Sequence, residues 1–548
     1  MERYWFGPPD AASAELDLDT LAALYLNIDG TLNGSHDQAM PRVLFGRKGS
    51  GKSHYLRALN ALKAGDPSVL AFGPSTKPPP NDWVIRLSIA LGAQAIPTWG
   101  ELWRKAILAS AAATLLYDIG GREHDAGIRA LHAERLEQAT RTVLGTSNVG
   151  HAPMSPFTAA EHILTRSKDL DRFRALLARS QWQDVEEHLE PVVAGSPSLY
   201  FFLDNLDAVE PFAPRPWAAC QRGLLDAVLA LGEDARFRHI HTVVALRDTI
   251  VQPLFDSVHG AKWVHSPMLR RLAWNTEQSQ EFLRRKVAAL PGMKDGYSPG
   301  ASLTAQWLSR STITNTVRRC QEGIEAYLLR HTLLLPRDVV EMGNSLCDAL
   351  ERVFKRGASS LNDAEVKAAV NRAAKQIGRT GIYCAGIDVA RRLMPSDAPL
   401  HGVSESYGLA GEEAARHHED DMTRAISEHY AGLLTDAIKQ IRQDRFESDA
   451  LSRMEESIRR GLAQPHSIEE ACGALWRQGM VGVIDGELES GEVTFYGHSE
   501  HDDTQLPRSA RRFAFHPSMI DYLGESHVHA VGEPVYPEPG FLDALGVV

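Results

Sequence analysis

Apolar and polar positions follow two periods in the first half of the chain. "VLF" at 43–45 is a short, wholly apolar run, the pattern of a strand buried on both faces. Leu56, Leu59 and Leu62 then recur at helical spacing, which predicts a helix over 53–64 that Gly65-Asp66-Pro67 stops. "SVLAFG" (68–73) predicts a second strand, and the Pro-rich "GPSTKPPPND" (73–82) a loop. Thr98 and Glu101 have the spacing of a capping box opening a helix through Leu102, Ile107 and Leu115. From there to about 190 the pattern is mostly helical, with a Gly/Ser/Pro loop near 145–156. Strands return at "SLYFFLD" (198–204) and "HIHTVVAL" (239–246) around a helical stretch at 215–232, and "KWVH" (262–265) is a candidate fifth strand.

Strands alternating with helices predict an α/β fold with a mostly parallel sheet covered on both faces. After 266 the pattern becomes all-helical, including an amphipathic segment with Ile426, Tyr430, Leu433, Leu434, Ile438 and Ile441 on one face. "HSIEEACGALWRQGMVGVIDGELESGEVTFYG" (466–497) predicts a helix, a stop at Gly479 and two strands about a turn. "RRFAFHPSMIDYL" (511–523) adds a strand and a helix. No internal repeat or low-complexity segment stands out.

Composition narrows the picture in a few places. At 548 residues the chain exceeds one ordinary core, so several domains are expected. No apolar run approaches the ~20 residues needed to span a bilayer, and "MERYWFGPPDAASAELDLD" carries neither the basic nor the apolar part of a secretory signal. The five cysteines, Cys220, Cys320, Cys347, Cys384 and Cys472, are scattered and form no C-x-x-C pair, which suits free thiols in a reducing cytoplasm. A net charge of −12 argues against a protein coated in nucleic acid and leaves one local basic patch open.

The candidate chemistry begins where the first strand meets the first helix. Gly46-Arg47-Lys48-Gly49-Ser50-Gly51-Lys52-Ser53 satisfies G-x-x-x-x-G-K-[ST] in the strand–loop–helix context that the pattern requires. Gly46, Gly49 and Gly51 let backbone N–H groups turn inward around a phosphate without a Cβ in the way. Ser50 and His54 complete the set of expected nucleotide contacts. Lys52 is placed to bridge β- and γ-phosphates, Ser53 to offer its hydroxyl to Mg²⁺, and the helix N-terminus to favour the anion. The expected ligands are therefore ATP and Mg²⁺.

The second half of such a site is a carboxylate at the end of a buried strand. "LYFFLDNLD" supplies Asp204 as the magnesium-side carboxylate, with Asp207 three positions on. Asn205 follows Asp204 directly and cannot act as a carboxylate base, so the water-polarising role falls to Asp207, with Glu210 behind it; slow or partner-dependent turnover is the expectation. Arg247-Asp248, ending "HTVVALRD", reads either as a sensor of the γ-phosphate or as a surface pair. In "LLLPRDVVEMGNSL" (333–346), Pro336 favours a helix start. A cation at Arg337 opposes the helix dipole unless it meets an anion such as phosphate; a solvated arginine is the alternative.

Taken together, "GRKGSGKS", "FFLDNLD", "VVALRD" and "LPRDVVEMGN" resemble the additional-strand P-loop ATPases of the AAA+ and STAND kind, including KAP-type relatives. "LDNLD" is similar to the "DDLD" of KAP proteins with Asn205 in place of an acid. The resemblance covers roughly 20–350 and implies that strand 239–246 lies between the P-loop strand and the Asp204 strand. It further implies that Arg337 is a second sensor, and that Arg270 or Arg271 in "PMLRRLAW" serves as an arginine finger in trans unless the pair is a solvated helix start. Lys52 and Asp204 are 152 positions apart, so 75–195 is expected to be a helical insertion, a partner-binding element or a lid.

The division implied is an ATPase core at 1–265, a helical lid at 266–358, a helical domain at 359–462 and a winged-helix-like domain at 463–548. Arg508, Arg511 and Arg512 are candidate phosphate contacts for DNA, against which the acidic "IDGELESGE" stands, so a protein-binding role is equally open. "HSEHDD" (498–503), His417-His418 and His527-x-His529 have metal-binding chemistry without a spacing that fixes a geometry. The expected function is a cytoplasmic bacterial ATPase acting as a conformational switch for a protein partner, with a homo-oligomer and a place in phage defence or DNA maintenance implied by the resemblance. The alternatives are a DNA-binding motor or loader and a non-hydrolysing nucleotide-gated scaffold.

Overall fold

The computed structural model describes residues 6–8, 41–120, 128–167, 169–204, 206, 214–258, 260–291, 293, 302–315, 320–393, 428, 430–441, 443–461, 469–488, 492–496, 505–507 and 509–523. Five strands, β1 (Val43–Gly46), β2 (Val69–Ser75), β3 (Ser198–Leu203), β4 (Ile240–Arg247) and β5 (Leu269–Arg271), form one sheet in the order β2-β3-β4-β1-β5. Every pairing in it is parallel. β4 sits between β1 and β3, where the resemblance implied it.

Continuous apolar runs make these strands because successive residues feed two different cores. Val43 and Phe45 of β1, with Leu199, Phe201 and Leu203 of β3, join the larger core. Leu44, with Tyr200, Phe202, Val243 and Ala245, faces the smaller one, closed by Tyr55, Leu56 and Leu59 of helix α1 (Lys52–Ala64). Period-2 side-chain alternation with both faces covered leaves no polar position in the middle of either strand.

The larger core also takes in the segment between β2 and β3. Its helices are α2 (Asn81–Leu91), α3 (Ala95–Gly120), α4 (Ile128–Leu144), α5 (Pro156–Thr165), α6 (Leu170–Leu177) and α7 (Gln181–Ala194). α3 packs along α8 (Pro214–Glu233), and Trp103 Nε1 donates to the carbonyl of Cys220 at 3.0 Å. The expected insertion is thus built into one face of the sheet, sharing its core.

A second core runs from Trp274 to Leu523 and takes in Phe6. It contains α10 (Thr276–Ala288), α11 (Pro336–Lys355) and α12 (Asp363–Leu393), preceded in the chain by α9 (Asp248–Phe255) after β4. The hairpin of β6 (Thr312–Asn315) and β7 (Cys320–Gly323) lies between α10 and α11. At the C-terminal end, α13 (Ser448–Gly461) and α14 (Glu469–Arg477) pack with an antiparallel sheet, and α15 (Pro517–Leu523) packs along α12. The strands of that sheet are β8 (Arg445–Glu447), β9 (Val481–Asp485), β10 (Glu492–Phe495) and β11 (Arg512–Phe515), in the order β10-β9-β11-β8. Among the described residues, no helix is long and apolar enough to cross a membrane.

Several expectations are corrected. "KWVH" is not a strand: 261–264 is a helical turn, and the fifth strand is Leu269–Arg271, so the chain after 266 is not all-helical. Trp263 buries its ring from that turn, a demand a helix meets as readily as a strand. Thr98 and Glu101 form no capping box, because α3 begins at Ala95; the Thr98 hydroxyl bonds back to Gln94 O and Glu101 pairs with Lys105. Leu62 is 37% exposed although Leu56 and Leu59 are fully buried, since the sheet covers only the first turns of α1. β2 continues through Pro74 to Ser75, two residues past the expected strand end at Gly73. Leu434, Ile438 and Ile441 are buried as expected, Leu433 is half-buried, and Ile426 lies outside the described residues. The C-terminal sheet has four strands, because Arg445–Glu447, which carries no strand-length apolar pattern, pairs with β11.

Candidate functional site

The loop between β1 and α1 lies at the carboxyl edge of the sheet, where ligands of open α/β sheets bind. Its backbone needs glycine: Gly49 and Gly51 have φ of +92° and +90°. At Gly49 the requirement is double, because a Cβ there would lie 3.2 Å from Cβ of Arg337. Three hydrogen bonds hold the outer side of the loop and of the strand end leading into it. Trp274 Nε1 donates to Ser50 O at 2.9 Å, Arg337 N to Gly49 O at 3.3 Å, and Leu272 N to Phe45 O at 2.7 Å. The start of α11 and the segment after β5 therefore fix the loop's shape.

Inside the loop, Lys52 is 8% exposed and its Nζ donates to the carbonyls of Gly46 and Arg47, both at 2.9 Å. The Ser50 hydroxyl is buried with no hydrogen-bond partner. No acidic residue occupies the first turn of α1, so its N-terminal N–H groups face an uncompensated positive field. A buried amine, an unsatisfied hydroxyl and a helix N-terminus thus converge on one loop, a set of groups whose chemistry suits an anion. Ser53 and His54, both half-buried, follow in the first turn.

The expected partners line the same edge. Arg247, 5% exposed, is in register with Gly46 on the adjacent strand. Asp204, 7% exposed, ends β3, two strand spacings (about 10 Å) from β1. Arg337 sits in the first turn of α11, its backbone against Gly49. Asn205, Asp207, Glu210, Arg508, the "HSEHDD" segment, His417-His418 and His527-x-His529 lie outside the described residues. Among the described residues no group of three or more His, Cys, Asp or Glu side chains could hold a metal ion.

The structure adds groups that spacing did not reveal. Asp338, beside Arg337, accepts from Leu333 N at 2.9 Å; burial pushes its carboxyl up to about 6 against the opposing pull of Arg47 and Arg337. Burial, with Asp338 close by, pushes Glu341 up to about 7. These carboxyls and Arg47, Lys48 and Arg337 border a small cavity shared with Ile377, Thr380 and Gln478. Arg270 and Arg271 lie on β5 rather than at a helix start; Arg271 Nη2 donates to the Tyr496 hydroxyl at 2.9 Å, and that hydroxyl donates to Asp248 Oδ2 at 3.0 Å. Arg47 donates from Nη1 to Tyr496 O at 2.9 Å and from Nη2 to Gln478 O at 2.5 Å. Of the arginines considered for DNA, Arg511 is exposed, whereas Arg512 bonds the Gly486 carbonyl across the sheet.

The chain matches no family model, no curated protein and no solved structure.

Proposed function

We propose that the chain binds ATP with Mg²⁺ at Gly46–Ser53, hydrolyses it slowly, and uses the cycle as a conformational switch for a protein partner in the cytoplasm. One observation carries the reading. The loop joins a central parallel strand to a helix N-terminus, with Lys52 resting on its own carbonyls and Asp204 and Arg247 at the ends of neighbouring strands. The unpaired Ser50 hydroxyl and the bare positive-φ glycines fit a polyphosphate chain.

Mg²⁺-ATP, when bound, supplies the phosphoanhydride bond and a cation that neutralises charge at the transferred phosphoryl group. Lys52 leaves the carbonyls of Gly46 and Arg47 to hold phosphate oxygens. Ser53 and Asp204 are the residues that would hold the cation. Asp207 takes the proton of the attacking water in this reading, and Arg247 and Arg337 orient the terminal phosphate. We assign α10 and α11 as a lid, since Arg337 N already bonds the loop, and the C-terminal four-stranded unit as a winged-helix-like module. A protein partner suits that module better than DNA, because the Arg512 guanidinium is committed to Gly486.

Titration calorimetry of ATP-Mg²⁺ into wild type and Lys52→Ala tests the core claim. The variant is expected to keep its circular dichroism and lose binding; unchanged affinity overturns the reading. Turnover by wild type that Asp207→Asn leaves untouched assigns the base elsewhere. Measuring turnover with and without duplex DNA, over a salt series, separates the switch from a DNA motor.

A further inference from the structure

One residue of the phosphate loop is shared between two parts of the fold. The carbonyl of Arg47 accepts from Lys52 Nζ at 2.9 Å, while its guanidinium donates to the carbonyls of Tyr496 and Gln478. The residue on which the candidate phosphate-binding amine rests is thus the residue that the C-terminal sheet grips. The grip is built rather than incidental. Arg47 is 7% exposed, and Gly479, at φ +68°, leaves the turn between α14 and β9 bare; a Cβ there would fall 2.6 Å from Arg47 Nη2. Tyr496 adds a second tie, its hydroxyl bridging Arg271 at the end of β5 and Asp248 just beyond β4.

Lys52 Nζ has three N–H donors and spends two on its own carbonyls, so bridging two phosphate groups takes it off at least one of them. Moving the amine to an incoming anion takes from the Arg47 carbonyl one of its two donors, leaving Ser50 N at 3.2 Å, and lets the loop widen, which draws the guanidinium against Tyr496 O and Gln478 O. The same grip, seen from the other side, holds the loop in the shape that keeps Lys52 on its own carbonyls. We infer that Arg47 couples phosphate binding at the loop to docking of the C-terminal sheet, the two opposing one another. This rests on the nucleotide reading above. Coupling between two equilibria is reciprocal, so docking weakens nucleotide binding by the factor by which nucleotide weakens docking.

The test uses the full chain as wild type, Arg47→Gln and Tyr496→Phe. ATP-Mg²⁺ affinity is measured by calorimetry, and backbone hydrogen exchange is followed at 478–485 and 492–496 with and without saturating ATP-Mg²⁺. Wild type is expected to exchange faster at those residues when ATP is bound. Arg47→Gln is expected to bind ATP about five-fold more tightly or better, and to exchange faster there without ligand. Tyr496→Phe keeps the carbonyl and loses only the hydroxyl, so it should shift both readouts in the same direction by less, and it serves if Arg47→Gln does not fold. Wild type that binds ATP with unaltered exchange, or variants that bind it no more tightly, overturn the coupling alone. Wild type that binds no ATP overturns the nucleotide reading and the coupling with it.

Discussion

The indole N–H of Trp274 reaches across from the segment after β5 to the carbonyl of Ser50, 2.9 Å away. Trp274 is 1% exposed and stacks edge-on against Phe282 of α10, so the contact ties the loop between β1 and α1 to the second core. Trp274→Phe keeps most of the apolar contact and leaves the Ser50 carbonyl without its donor. The expected cost is about 1–3 kcal/mol of stability, read by urea denaturation, together with weaker ATP binding because the loop loses an outer support. An unchanged denaturation midpoint would remove Trp274 from the account of loop rigidity.

Gly49→Ala probes the opposite wall. A methyl group there meets a φ of +92° and Arg337 Cβ at 3.2 Å. Backbone strain of about 1–2 kcal/mol and a displaced α11 are expected, so the melting temperature should fall and nucleotide affinity with it. A variant as stable as wild type would show that the loop relaxes without cost.

Asp338 and Glu341 predict a pH dependence of defined sign. Their folded values, about 6 and about 7, lie above the ordinary 3.8 and 4.5, so the folded chain keeps protons that the unfolded chain has released. The stability they contribute is present in full below about pH 4 and is lost as pH rises through 6 and then 7. Asp338→Asn keeps an acceptor for Leu333 N and removes the titration. Relative to wild type it should gain on the order of 2 kcal/mol at pH 8 and nothing at pH 4, measured as the difference between two denaturation series. A constant difference across that range would contradict the assignment.

Arg477 and Asp388 join α14 to α12 through a 2.6 Å ion pair, with side chains 4% and 2% exposed. Removing one partner strands a buried charge, so Arg477→Met should cost about 3–5 kcal/mol. The double variant Arg477→Met, Asp388→Leu should recover most of that loss. Thermal melts of the single and double variants decide it, and a double variant no better than the single would mean that the pair does not act as a unit.

The proposed nucleotide chemistry is local, and for that reason it is legible in the sequence by itself. Gly46 to Ser53 are contiguous, as a loop proposed to wrap an anion has to be, and the apolar runs before Asp204 and Arg247 are strands because each feeds two cores. Helix starts such as Pro336 also follow from single residues. Register with the rest of the molecule is different, since it depends on pairings between residues hundreds of positions apart that leave no periodic mark. β8 is three residues long and becomes a strand only because β11 offers it an edge. The short run at Leu269–Arg271 is likewise a strand only beside β1, while "KWVH", with the better strand composition, turns as a helix to bury Trp263. Arg47 read as one loop position among eight, but tertiary structure alone decided that its guanidinium would be buried under Tyr496, 449 positions away. A hydrogen bond of that span is set by how two cores meet, and no spacing rule along the chain encodes that meeting.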